Sequence, residues 1–229
     1  DAAIMGFLKS FKISSNLIPI SMKQDVKKGA FIKGDEMQVN TGTEPQSMSV
    51  YDFALKGKHN QYNTMAASVA GATMDIRKNK IREAVQTFQN LEHRMESVAT
   101  VRGVEFINDS KATNVNSTWY ALESMTKPTV LILGGIDKGN DYGLLQELVK
   151  DKVKAIVCMG LDNKKIHEAF KNSNLPVVDT ASATEAAAAA FGQAAVGDVV
   201  LLSPACASFD LFKNYEDRGT QFKQAVKNL

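Results

Sequence analysis

The chain is poor in cysteine, in histidine and in charge of one sign. Two of its 229 residues are cysteine, Cys158 and Cys206, and three are histidine. The spacing of the cysteines suggests no metal site, and two thiols in apolar or small-residue surroundings make no disulfide framework, so a reducing cytoplasm is the expected compartment. No apolar run approaches the roughly 18 residues of a membrane span, and the N-terminus lacks the basic-then-apolar pattern of a signal peptide. Lys and Arg number 27 against 25 Asp and Glu, a net charge of +2 with both signs interleaved, so neither nucleic acid nor an anionic membrane is an expected partner. No G-x-G-x-x-G follows any strand-like run, which excludes a Rossmann dehydrogenase, and G-x-x-x-x-G-K-[ST] is absent as well. Small-molecule chemistry is what these absences leave.

Hydrophobic residues make up 44% of the chain, enough for one large domain or two small ones. The first residue is Asp1, followed by "AAIMGFLKSFKISSNLIPIS", which reads as the interior of a domain; the chain is expected to be a piece of a longer protein. From Leu17 to Leu55 short alternating runs with turns at Gly29 and Gly34–Asp35 predict an antiparallel meander. Met65, Val69 and Ala72, then Ile81, Val85, Phe88 and Leu91, recur at helical spacing. Residues 1–94 are therefore expected to be strands followed by two helices.

After "LEHRMESV" the texture changes. The runs "GVEFIN", "TVLILGG", "VKAIVCMG", "PVVDT" and "DVVLLSP" alternate with helical stretches near 114–126, 142–150, 162–171, 182–194 and 215–228. Apolar runs without polar alternation suit strands buried on both faces, so residues 95–229 predict a doubly wound α/β domain with a mostly parallel sheet. The alanine-rich "TEAAAAAFGQAA" reads as a packed helix.

In an open α/β sheet ligands bind beyond the carboxyl ends of the strands, and three of those ends carry unusual residues. In "NDSKATN", Asp109 or Ser110 suits a turn and Thr113 or Asn114 a helix cap, but Lys111 faces the wrong end of the helix dipole unless a ligand anion is near. In "LGGIDKGNDYG" adjacent glycines permit close backbone approach, and Lys138 is either an ordinary exposed lysine or a ligand contact. In "SPACASFDLFKNYEDRG" small residues leave room for a ligand. Cys206 has no histidine nearby in sequence and reads as a buried structural thiol, and Asp217 with Arg218 as a surface pair on the last helix. Lysines, hydroxyls and backbone donors on one edge suit a small carboxylate-bearing substrate.

In the first half "GKHNQYN" holds Asn60 and Asn63, three apart on one helix turn. Asn60 suits a cap or, with Asn63, the edge of a nucleobase. His93 and Arg94 sit at the expected domain junction, where an arginine can reach a ligand shared by two domains and a histidine is more often structural.

In order and spacing "HNxxN", "HRME", "NDSKATN", "LGGIDKG" and "SPACASFDLFKNYEDRG" resemble the Mur ligases of peptidoglycan synthesis over nearly the whole chain, and "DSKATN" points to the branch that adds D-glutamate. The resemblance implies the latter part of a central α/β ATPase domain (1–94) and an entire Rossmann-like amino-acid-binding domain (95–229). It implies ATP as cofactor, Mg2+ with its ligands mainly outside this chain, UDP-N-acetylmuramoyl-L-alanine and D-glutamate as substrates, and a monomeric parent. Carried over by position, Asn60 and Asn63 meet the adenine end, and Arg94 and Asp109 the ribose and phosphates. Thr113 and Lys138 meet the side-chain carboxylate of D-glutamate, with Ser208 and Phe209 near its α-carboxylate. Tyr215 stands where the family usually has phenylalanine. His93 and Lys111 match the motifs without an assigned role, and the main catalytic groups are expected upstream. The reaction implied is ATP-dependent activation of a carboxylate to an acyl phosphate followed by attack of the D-glutamate amine. The alternative is that this chain alone is a non-catalytic nucleotide- and amino-acid-binding module, since it has no phosphate loop.

Overall fold

The computed structural model describes residues 6, 14–42, 45–55, 57–89 and 91–229. Of the opening stretch read as the interior of a domain, residues 1–5 and 7–13 lie outside the described residues. Two units divide the chain, Asp1–Gln89 and Asn90–Leu229.

The first unit is built on a four-stranded sheet in the order β1 (Ile20–Ser21), β2 (Gly29–Lys33), β3 (Glu36–Asn40), β4 (Gln46–Ser49). Alternation places Met37 and Val39 of β3 inward, and with Ala30, Met48 and Phe53 they pack against Met65 and Val69 of α1 (Lys58–Thr73). A second helix, α2 (Lys78–Thr87), buries Ile81. The expected meander holds for β2 to β4, which are antiparallel, but β1 pairs with β2 in parallel. Gly29 permits this: its φ is +127°, and a Cβ there would lie 1.9 Å from the Pro19 carbonyl oxygen, which accepts the Ala30 N–H at 3.1 Å.

The second unit is a six-stranded sheet in the order β5-β6-β10-β7-β8-β9. These strands are β5 (Glu96–Val101), β6 (Val104–Asn108), β7 (Thr129–Leu133), β8 (Val153–Met159), β9 (Val177–Thr180) and β10 (Val199–Leu202). All neighbours are parallel except β5, an antiparallel edge strand joined to β6 through Arg102 and Gly103. Both turn residues have positive φ, +48° and +83°, as a tight two-residue hairpin requires. The apolar runs alone did not mark β5, because Glu96–Val101 is half-exposed and mixed in polarity.

Five helices cover the sheet: α3 (Val115–Ser124), α4 (Gln146–Lys152), α5 (Lys164–Phe170), α6 (Ala183–Gln193) and α7 (Tyr215–Lys227). One face of the strands, with Ile107, Leu131, Leu133, Ile156 and Leu201, packs on α3, α4 and α5. The other face, with Phe106, Val130, Ile132, Val157 and Leu202, packs on α6 and α7. Both faces are apolar because both are covered, which is why Val130 to Leu133 are all 0% exposed. The alanine-rich stretch is α6, whose Ala183, Ala186, Ala187 and Ala190 form its buried stripe. Ser182 caps it by accepting the Glu185 N–H, and Glu185 in turn accepts from Ala181 N.

Candidate functional site

Strands β6, β10 and β7 are neighbours, so the loops that leave their carboxyl ends lie side by side. These are the loops of "NDSKATN", "SPACASFD" and "GGIDKGND". The chain reverses its winding here, since β10 is last in sequence yet sits between β6 and β7, and such a point opens a crevice at the strand ends.

Buried polar groups hold the three loops together. Arg218 of α7 is 1% exposed; its Nε donates to Ser110 Oγ at 2.9 Å, its Nη2 to the Ser110 carbonyl at 2.8 Å and its Nη1 to the Cys206 carbonyl at 3.2 Å. Ser110 Oγ donates to the Tyr215 carbonyl at 2.8 Å. Burial draws the Arg218 pKa down to about 10, with the fields of Cys206 and Asp210 opposing. The expected Asp217–Arg218 surface pair does not exist. Asp217 instead accepts from Lys213 N and from Gln221 Nε2, while Arg218 lies on the helix stripe of Phe222, Ala225 and Val226. That stripe was the sequence signal for its burial, since position 218 precedes Phe222 by four.

Asn140, which the sequence reading did not single out, ties the second loop to the third. Its Nδ2 donates to the Ala205 carbonyl at 3.0 Å and lies 3.3 Å from Cys206 Sγ. Cys206 is the buried structural thiol expected: it is 1% exposed, Tyr142 Oη lies 3.2 Å from its sulfur, and burial pushes its pKa up. Gly135, φ +125°, faces the Ala207 carbonyl so closely that a Cβ would stand 2.2 Å from it.

Asp109 is 7% exposed at the end of β6. Its Oδ1 accepts from Met95 N at 3.2 Å and its Oδ2 from Ser203 Oγ at 2.9 Å. Burial pushes its pKa up to about 7, against those two hydrogen bonds and the charge of Arg94. His93 is 5% exposed and structural. Asn108 Oδ1 accepts from Ser110 N, which orients the amide so that its Nδ2 donates to His93 Nδ1 at 3.0 Å and to Glu96 Oε2 at 3.0 Å. Opposite that amide donor, Nδ1 takes the acceptor role. The ring also meets Tyr215 edge-on at 6.1 Å.

Lys111 Nζ stands 3.7 Å from the centroid of the Tyr215 ring. Asn114, not Thr113, caps α3, accepting from Ser117 N at 2.9 Å. Thr113 is half-buried, Lys138 exposed, Ser208 2% exposed and Phe209 65% exposed. Among the described residues the Lys138 ammonium and the Thr113 and Ser208 hydroxyls have no hydrogen-bond partner. Arg94 is exposed two residues before β5. In the first unit Asn60 is half-buried and Asn63 exposed in the first turns of α1. Gly57 occupies the cap position, so Asn60 is not the cap.

A family model, "Mur ligase, glutamate ligase domain", matches residues 93–206. Along its full length the chain is 50% identical to the UDP-N-acetylmuramoylalanine--D-glutamate ligase of Christiangramia forsetii. The chain belongs to the Mur ligase family. It spans 52% of that relative's length, about half. Among solved structures, the Mur ligase fold recurs in MurF of Acinetobacter baumannii, with TM-score 0.67 over 99% of this chain and 50% of that one at 15% identity. MurF ligase of Thermotoga maritima, solved in complex with ADP, gives 0.52 over 88% of this chain and 46% of that one at 11% identity. Among the described residues no helix is long and apolar enough to cross a membrane.

Proposed function

We propose that the whole protein adds D-glutamate to UDP-N-acetylmuramoyl-L-alanine at the cost of ATP, and that this chain supplies the adenosine contacts and the amino-acid site. The observation that carries the reading is the edge of the second unit. One exposed cation, Lys138, and two hydroxyls, of Thr113 and Ser208, lie on adjacent loops without protein partners, while buried hydrogen bonds of Arg218 and Asn140 fix those loops. A dicarboxylate needs such an arrangement: charge-assisted donors whose positions are set before the ligand arrives. Identity to a D-glutamate ligase along the whole chain supports a ligase over a binding module.

In this reading Lys138 and Thr113 hold the side-chain carboxylate of D-glutamate. Ser208, Phe209 and Tyr215 bound the α-carboxylate side and orient the amine. Asn60 and Asn63 present amides to the adenine edge, and Arg94 with Asp109 serves the ribose and phosphate side. ATP, as a substrate, would give its γ-phosphoryl group to the acceptor carboxylate with release of ADP, and the amine would then displace phosphate and lose a proton. The contribution of this chain to rate is orientation of the amine and electrostatic alignment rather than proton transfer. Asp109, buried with its oxygens accepting from Met95 N and Ser203 Oγ, serves that side by holding its loop rather than as a ligand for Mg2+, so no step is assigned to the metal here.

The test is phosphate release by the whole protein from ATP with UDP-N-acetylmuramoyl-L-alanine. Release that requires D-glutamate supports the assignment. Release that is indifferent to D-glutamate, or equally served by L-alanine in its place, overturns it.

A further inference from the structure

Away from the loops that carry the proposed amino-acid site, three metal-ligating side chains converge from three elements. Cys158 lies in β8, His167 in α5 and Asp179 in β9. The strands pair in parallel with Cys158 opposite Asp179, so both side chains leave the sheet on one face, the face on which α5 packs through Ile166 and Phe170. A ligand atom from each residue lies within 4.8 Å of the other two. His167 Nε2 is 3.0 Å from both oxygens of Asp179. Asn163 Nδ2 donates to Asp179 Oδ1 at 3.0 Å and to the Gly160 carbonyl at 3.2 Å, which holds the carboxylate in place from outside the trio.

Sulfur, imidazole nitrogen and carboxylate oxygen form a donor set suited to a borderline-soft ion with three protein ligands and an open fourth position. An ion about 2.0–2.3 Å from each donor in tetrahedral geometry holds the donors roughly 3.3–3.7 Å apart, so the widest separation here must close by about 1.5 Å at most. The side chains of His167 and Asp179 are 43% and 57% exposed, which gives them room to move and leaves the fourth position facing solvent. We propose that Cys158, His167 and Asp179 bind one divalent transition-metal ion of the zinc class, with water in the fourth position.

Burial, then the charge and hydrogen bond of Asp179, push the Cys158 thiol up to about 12. A dication between the two groups reverses the electrostatic cause: the thiolate binds the ion and the thiol proton passes to solvent. Asn163, which supports Asp179, lies in the loop after β8, where Leu161 N donates to Asp210 Oδ2 at 3.1 Å, next to Phe209 in sequence.

Cobalt(II) titrated into the reduced chain tests the site through the near-ultraviolet thiolate-to-metal charge-transfer band. The band should saturate at one equivalent, be displaced by zinc, vanish in Cys158→Ser and survive in Cys206→Ser. Cobalt affinity should fall at least tenfold in His167→Gln and in Asp179→Asn, which alter exposed side chains and decide the matter if Cys158→Ser does not fold. A missing band, a band that persists in Cys158→Ser, or affinity unchanged in both exposed variants overturns the proposal.

Discussion

Asp109 should make the second unit less stable as pH rises, and Asp109→Asn should remove that dependence. Its pKa stands at about 7 in the folded chain against 3.8 for the free side chain, with burial as the main cause. Below about pH 4 both states hold the proton and the residue is without effect. Between about pH 4 and 7 the unfolded chain releases the proton while the folded one keeps it, so stability falls by up to about 1.4 kcal/mol per pH unit; above 7 the loss is complete. The full loss is about 4 kcal/mol, of which roughly 3 kcal/mol accrues between pH 5 and 8. An asparagine keeps the contacts: its oxygen accepts from Met95 N and its amide donates to Ser203 Oγ, whose hydroxyl can still reach Thr118 Oγ1 at 3.2 Å. Trp119, the one tryptophan, lies in α3 and packs against the core of this unit, so its fluorescence during urea unfolding reports on this unit. The difference in stability between Asp109→Asn and the unsubstituted chain should shift in favour of the variant by about 3 kcal/mol from pH 5 to pH 8. A difference that stays constant across that range would refute a buried, half-protonated Asp109.

Three further substitutions bear on the same edge. Gly219→Ala in α7 should destabilise by about 1–3 kcal/mol in urea unfolding, although alanine usually strengthens a helix, because its Cβ would stand 2.2 Å from His93 Nδ1; a gain in stability would show that His93 is free to move. Arg218→Lys should cost about 2–4 kcal/mol and speed amide hydrogen exchange at Ala112 and Thr113, since one ammonium cannot reach the three acceptors on two loops; unchanged exchange would separate Arg218 from loop positioning. In the whole enzyme Lys138→Ala should raise KM for D-glutamate far more than KM for ATP, measured by phosphate release, and equal effects on both would remove Lys138 from the carboxylate.

The parallel sheet was legible in the sequence because burial on both faces writes an uninterrupted apolar run, as in Thr129–Leu133. Elements whose neighbours are distant in sequence were less legible. The edge strand β5 carries no such run, and β1 pairs in parallel through a backbone contact of Gly29 that no side-chain pattern reveals. The exposed candidates Lys138 and Phe209 could be named from their motifs, since their availability depends on no partner. The groups that hold the loops could not: Arg218 has two of its three acceptors 108 residues away at Ser110, and Asn140 has its acceptor at Ala205, 65 residues on. Sequence proximity made Asp217 look like the partner of Arg218, whereas the helix period had already put the two on different faces.

Lys111 shows why chemistry and structure must be read together at this edge. A lysine four residues before α3 opposes the positive end of the helix dipole, and a turn needs no lysine. The structure gives its ammonium the face of Tyr215, the first residue of α7, at 3.7 Å. Such a contact at a partly exposed site is worth only about 0.5–1 kcal/mol, comparable to the dipole repulsion it offsets. Lys111 is therefore held between the N-terminal ends of two helices. The aromatic face fixes where the ammonium stands before any ligand arrives. A phenylalanine ring at position 215 would offer the same aromatic face, so the tyrosine hydroxyl is not what positions the lysine.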